Sequence, residues 1–188
     1  MSEPRYVELI DNKTFLLYDF FSPEECAARI AATEATGYVQ AAIGHGNTIA
    51  KDYRDNLRVM DTDRSLSKIM FERALPFLPP KMLGRRPVGF NERLRYYRYD
   101  VGHVFQPHKD GAFIRDNGEM SFQTVLVYLN DGFEGGTTDF YYDDGSPYIS
   151  VEPVRGMALV FRHDINHGGA QVIGGTKYVL RSDVMYGF

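Results

Sequence analysis

The sequence predicts a mainly β fold with N-terminal helices, a small β-barrel or two-sheet jelly roll with the supporting helices packed outside. Three observations carry that prediction. Helix start and stop signals are confined to the first 90 or so of the 188 residues. From about Phe90 onward, short segments rich in Tyr, Phe, Val and Thr are separated by Gly, Asp and Asn clusters, the texture of strands and turns. No helices alternate with those strands, so helices cannot cover both faces of the sheet, and the sheet must largely cover itself. At 188 residues the chain fits one domain, with residues 1–90 mostly helical support and 91–188 the jelly-roll core.

The first helix opens at Ser22-Pro23-Glu24-Glu25. A hydroxyl cap, a proline at the first helical position and a glutamate three residues after the cap satisfy the free amide donors there. That helix is expected to run to about Ala35 and stop at Gly37. A second starts near Asp61 or Asp63, buries Leu66, Ile69, Met70 and Leu75 at helical spacing, and is broken by Pro76, Pro79 and Pro80. Between them, His45 to Asn56 is polar, loop-forming and without a clear period. Strands are predicted near 92–99, 103–108, 121–130, 137–142, 148–153, 157–163 and 177–186. No internal repeat or low-complexity tract interrupts them.

Composition narrows the function classes. A net charge of -4 and a pI near 5.7 give no field that attracts nucleic acid or an anionic membrane. The N-terminus lacks a basic segment followed by an apolar core, and apolar runs such as Met157 to Phe161 are too short to span a bilayer, so a soluble, cytoplasmic protein without a cleaved signal is expected. The single cysteine, Cys26, excludes an internal disulfide and suits a reducing compartment; within a predicted helix it reads as a small packed residue.

The candidate chemistry lies in His108, Asp110 and His167. Alternation along a strand puts residues i and i+2 on one face, so His108 and Asp110 both point inward while Lys109 points away. The 59 residues from His108 to His167 let several antiparallel strands bring the chain back. Two imidazoles and one carboxylate on one face of an ion, with the opposite face open, make the ligand set of non-haem Fe(II) oxygenases; zinc prefers a closed tetrahedral set or one open position. His163 and His103 are the alternative ligands.

The surroundings of this set resemble the prolyl 4-hydroxylase-like branch of the Fe(II)- and 2-oxoglutarate-dependent dioxygenases. The likeness runs through Tyr99-Asp100-Val101-Gly102, Phe105-Gln106-Pro107-His108-Lys109-Asp110 and Thr124 to Asn130. It continues at Glu134-Gly135-Gly136-Thr137, Pro153-Val154-Arg155-Gly156 and His167, and closes with Val172, Gly174, Gly175 and Lys177. The resemblance implies a double-stranded β-helix (jelly roll), with His108, Asp110 and His167 as iron ligands. It also implies Fe(II), 2-oxoglutarate as cosubstrate and O2 as oxidant, with ascorbate a candidate reductant. Lys177, ten positions after the distal histidine, would pair with the far carboxylate of 2-oxoglutarate, because a dianion buried unpaired is costly. Arg181, four residues further on the same strand face, is the alternative, since an arginine makes the better bidentate clamp. Tyr99 and Tyr128 match positions whose hydroxyls bond 2-oxoglutarate in the family, and each also reads as a core aromatic. Gly135-Gly136 reads as a tight hairpin or bulge.

By that likeness the activity is hydroxylation or another oxidation of a C–H bond of an amino acid, a peptidyl (prolyl-type) residue or a small metabolite, releasing succinate and CO2. Asp110 speaks against halogenation, since its carboxylate fills the place a halide would need; ring closure and desaturation remain open. Substrate residues are Arg95, Arg58 and Asn56, a free carboxylate being served by Arg95 with Arg58. If Arg95 faces the pocket it needs an anion, either a substrate carboxylate or one of the chain's 25 acidic side chains, and the default for Arg54 and Arg58 is a solvated face or a structural ion pair. Phe105, Phe113 and Phe122 are candidates to line the mouth. The rival readings are a non-catalytic metal- or ligand-binding jelly roll and a cupin-like iron dioxygenase that uses no 2-oxoglutarate.

Overall fold

The computed structural model describes residues 3–11, 13–41 and 55–188. The chain begins with a hairpin, β1 (Arg5–Ile10) and β2 (Thr14–Tyr18), followed by α1 (Pro23–Thr36), β3 (Val39–Gln40), β4 (Leu57–Thr62) and α2 (Arg64–Ala74). Next come β5 (Arg86–Phe90), β6 (Arg93–Tyr99), β7 (Phe105–His108) and β8 (Met120–Tyr128). The remaining strands are β9 (Glu134–Gly135), β10 (Thr138–Tyr141), β11 (Pro147–Val151), β12 (Ala158–Arg162), β13 (His167–Gly169), β14 (Val172–Gly174) and β15 (Lys177–Gly187).

The strands form a nine-stranded sheet in the order β1-β2-β12-β8-β15-β6-β4-β3, with β5 also pairing β15. A four-stranded sheet, β11-β10-β13-β7, lies opposite it, and β14 and β9 make a small ribbon. This is the predicted jelly roll. Residues 1–90 carry more strand than predicted: β1, β2, β3, β4 and β5 all belong to the large sheet. In β2, Phe15, Leu16 and Leu17 are all buried, because the large sheet is covered on both faces. A strand buried on both faces gives a continuous apolar run without the alternation that marks a strand in sequence.

Two cores follow from that double burial. Leu16, Tyr97, Phe161 and Val179 pack with Phe140 and Val151 of the small sheet. Their neighbours one residue along, Leu17, Tyr96, Val160 and Leu180, join the opposite core with Cys26, Leu66, Met70 and Ala74 of the two helices. Helix α1 opens as expected: Ser22 Oγ accepts from the Glu25 amide at 3.2 Å, Glu25 Oε2 accepts from the Ser22 amide at 2.8 Å, and Gly37 closes the helix at φ 88°. Helix α2 is capped by Asp63, which accepts from the Leu66 amide at 2.8 Å. Of the four residues expected to bury on α2, Leu66 and Met70 do so, while Ile69 (42% exposed) and Leu75 (44%) face outward. The helix ends at Ala74, so Leu75 belongs to a following 3-10 turn, Leu75–Phe77, and the expected stripe is one turn too long. Most of the polar stretch from His45, Arg54 included, lies outside the described residues. No helix among the described residues is long and apolar enough to cross a membrane.

Candidate metal centre

The three predicted ligands meet. His167 on β13 is the register partner of His108 on β7, across an antiparallel pair of the small sheet. Asp110 lies just beyond the end of β7, with its amide donating to the His163 carbonyl at 3.0 Å. His108 Nε2 is 3.7 Å from Asp110 Oδ1 and His167 Nε2 is 3.6 Å from Asp110 Oδ2. One ligand atom from each of the three residues lies within 4.8 Å of the others. Their side chains are only 9%, 4% and 7% exposed, in the order His108, Asp110, His167.

The rings are oriented from behind. His108 Nδ1 is 2.8 Å from the Gln106 carbonyl, and His167 Nδ1 is 3.0 Å from the Ile165 carbonyl. A carbonyl only accepts, so each Nδ1 carries the proton and each Nε2 keeps its lone pair for a metal. Phe105 stacks on His108 at 3.8 Å between ring centres, and Phe161 lies 4.4 Å from His167. Burial pushes the His167 pKa down to about 4, only partly opposed by Asp110, so its imidazole is neutral at neutral pH. Burial alone would raise the pKa of Asp110; the guanidinium of Arg181, then His167 and the Thr124 hydroxyl, outweigh it and hold the carboxyl well below the usual carboxylate range. Two imidazoles and one carboxylate fit Fe(II).

A small pocket of about 40 Å3 adjoins the trio, lined among others by Tyr97, Tyr99, Thr124, Thr138, Lys177 and Arg181. Alternation along β15 aims Lys177, Val179 and Arg181 into it. Lys177 is 4% exposed; its Nζ donates to the Gly136 carbonyl at 2.5 Å and sits 5.4 Å from the ring centres of both Tyr99 and Tyr128. No carboxylate among the described residues forms an ion pair with it, and burial pushes its pKa down to about 7. Gly135 and Gly136, at φ 71° and 67°, make the bend that presents that carbonyl; a side chain at Gly135 would run into the Gln171 carbonyl.

Arg181 is placed differently. Its Nη1 is 2.9 Å from Asp110 Oδ1 and its Nη2 is 3.3 Å from Asp183 Oδ1. The Tyr128 hydroxyl is fully buried and donates to Thr138 Oγ1 at 2.7 Å. Arg95 Nη1 donates to Asp183 Oδ2 at 3.0 Å, so the anion that partners it is the chain's own. Arg58, across from Tyr97 in register, and the buried Asn56 do not line the pocket. Phe122 lines a neighbouring cleft, whereas Phe113 lines neither opening. Of the alternative ligands, His163 stands 3.8 Å from Asp183, and His103 Nδ1 accepts from the Asp100 amide at 3.1 Å; neither joins the trio. The residues that sequence reasoning missed are Thr124, Thr138 and Asp183. Asp183 carried a signal, since an acid two residues from Arg181 shares its strand face in an otherwise apolar segment.

The 2OG-Fe(II) oxygenase superfamily matches residues 94–182, the stretch that includes all three candidate ligands and Lys177. The match and the relatives below support a prolyl 4-hydroxylase-like 2OG-Fe(II) oxygenase. Prolyl 4-hydroxylase 1 of Arabidopsis thaliana is 27% identical to this chain over 194 residues, covering 88% of the chain and 66% of the relative. The chain thus spans about two thirds of that relative's length. Two solved structures share the fold. A Pseudomonas putida prolyl-4-hydroxylase matches with a TM-score of 0.68 at 19% identity, covering 92% of each chain. A Trichoplax adhaerens prolyl hydroxylase in complex with a hypoxia inducible factor peptide fragment matches with a TM-score of 0.72 at 15% identity, over 93% of this chain and 84% of that one. The matched family implies Fe(II), 2-oxoglutarate and O2 as metal, cosubstrate and oxidant, and the His-Asp-His trio fits iron binding.

Proposed function

We propose that this oxygenase hydroxylates a C–H bond of a peptidyl residue, prolyl foremost, with His108, Asp110 and His167 holding Fe(II) and Lys177 pairing the far carboxylate of 2-oxoglutarate. The observation that carries the reading is Lys177, a buried ammonium without an acid partner among the described residues, in the pocket that His108, Asp110 and His167 also line. A buried charge is destabilising until it is paired, and a two-ended acid held at the metal by its keto-acid end would pair it. When bound, the metal supplies the activation of O2 and the decarboxylation that gives succinate and CO2. The chain's own residues orient and shield. The Nδ1–H bonds fix both imidazoles, Phe105 and Phe161 exclude water from them, and Tyr99 lines the cosubstrate end.

A peptide is favoured over a free amino acid for two reasons. Neither arginine beside the site is left for a free carboxylate, since Arg95 is taken by Asp183, and Arg181 by Asp110 and Asp183. An open cleft of about 660 Å3 borders Asp110, with Pro79, Pro80, Met82 and Phe122 on its walls, and at Lys109 and Asp164 it meets a second cleft of about 500 Å3. That length of open surface suits an extended chain. A reducing, cytoplasmic compartment suits the one thiol, Cys26, which is buried and whose pKa burial pushes up to about 11.

The test is succinate release and substrate oxidation with Fe(II) and 2-oxoglutarate, comparing a proline-containing peptide with blocked ends against free proline. Stimulation by the peptide, with one oxygen atom added to it, is expected. Stimulation by the free amino acid alone would refute the peptide reading, and oxygen uptake without 2-oxoglutarate would refute the cosubstrate reading.

A further inference from the structure

Asp110 is the one candidate ligand that no regular strand holds, since β7 ends at His108. Its carboxylate is instead gripped at both ends. Arg181 Nη1 lies 2.9 Å from Oδ1, and the Thr124 hydroxyl donates to Oδ2 at 2.5 Å. Arg181 is itself held from the other side, its Nη2 lying 3.3 Å from Asp183 Oδ1 and 3.4 Å from Thr124 Oγ1. Asp183 is 2% exposed and is anchored again by Arg95 Nη1 at 3.0 Å.

The register explains why this set is stiff. Asp183 on β15 lies opposite Thr124 on β8, and Arg181 lies opposite Arg95 on β6, so the four residues sit on three adjacent strands of the large sheet. Asp110 approaches them from the end of the small sheet. Two guanidinium groups and two carboxylates balance in charge, so the cluster has no surplus cation to offer a further anion. An arginine so engaged would have to give up a buried ion pair to hold 2-oxoglutarate, whereas Lys177 gives up none among the described residues.

We infer that Arg181 is a positioning residue for Asp110 and not a clamp for the cosubstrate, and that Asp183, braced by Arg95, holds Arg181 in that role. With an ion pair on one oxygen and a hydrogen bond on the other, the carboxylate is held in one orientation at the candidate metal site. Partners of this kind set ligand direction, and losing one typically costs about 10- to 100-fold in metal affinity. The inference rests on reading His108, Asp110 and His167 as the metal site.

Co(II) is the probe, because its absorption spectrum reports coordination independently of turnover. Two variants are compared with wild type: Arg181→Lys, which keeps the charge but cannot bridge both carboxylates, and Asp183→Asn, which keeps the size and touches neither metal nor cosubstrate. The expected result is a Co(II) Kd weakened about 10-fold or more in Arg181→Lys and several-fold in Asp183→Asn, with altered absorption bands. The 2-oxoglutarate Kd at saturating Co(II) should move less than about 3-fold, whereas Lys177→Met should show the reverse split. If Arg181→Lys leaves the Co(II) Kd and spectrum unchanged, the inference is overturned, whether or not 2-oxoglutarate binding falls. Should Arg181→Lys fail to fold, Asp183→Asn decides alone: an unchanged Co(II) Kd and spectrum overturn the inference. Failure of the underlying reading looks different, since wild type would then bind no Co(II), or would bind it equally well after Asp110→Ala.

Discussion

Lys177 and Arg181 show how two cations on one strand face come to different uses. Arg181 meets two acids, while Lys177 meets a backbone carbonyl and two tyrosine rings. Replacing Lys177 with Met is therefore expected to leave the ligand-free protein at least as stable, and to weaken 2-oxoglutarate binding by on the order of 3 kcal/mol, about 100-fold. Calorimetric titration with Mn(II) as the metal would measure both this loss and its pH dependence. Burial holds the folded pKa of Lys177 at about 7, below its unfolded value of roughly 10.4. Between those values the unfolded chain binds the extra proton, so this residue makes the ligand-free protein more stable as pH rises through that window. Binding the dianion requires the ammonium, so affinity should fall as pH rises above about 7, by up to roughly tenfold per unit. A flat affinity from about pH 6 to 9 would remove Lys177 from this role.

At the scale of the element, α1 was legible because everything that starts it is local. Ser22 and Glu25 cap each other's amides, and Glu25 also reaches Arg73 of α2 at 2.7 Å, tying the two helices together. Ser22→Ala is expected to cost about 1 kcal/mol of unfolding free energy, read from urea denaturation. The hydrogen bond from Arg73, more than burial, the Ser22 amide and other charges, decides the direction of Glu25's pKa, which is lowered. Its contribution is therefore present above the unfolded pKa and fades as pH falls through the folded one. Strand β13 is the opposite case. It has three residues, two of them glycines, and no pattern of its own; it becomes a strand because β10 and β7 flank it.

Across the whole molecule, β15 is the element on which the rest depends. It pairs β8 along one edge and β6 then β5 along the other, and it aims Lys177, Arg181 and Asp183 at the site while Leu180 faces the helices. Leu180 is fully buried, so Leu180→Ala is expected to cost about 2–5 kcal/mol. Denaturant titration would measure that loss, and a change below about 1 kcal/mol would mean the two layers around β15 are packed more loosely than they look. The prediction that helices dominate the first 90 residues failed at this scale. Leu16 and Leu17 face different layers, and their strand was disguised by being buried from both sides.

The sequence by itself determined the jelly-roll class, the two helices and the candidate His-x-Asp…His trio. Each is written in short-range patterns: caps, strand texture, and two ligands separated by a single residue. Only the tertiary structure decided which of Lys177 and Arg181 meets an acid among the described residues, which acid answers Arg95 and what fixes the carboxylate of Asp110. Those outcomes depend on strand register, and the partners that register brings together lie far apart in the chain, where no local pattern records their meeting.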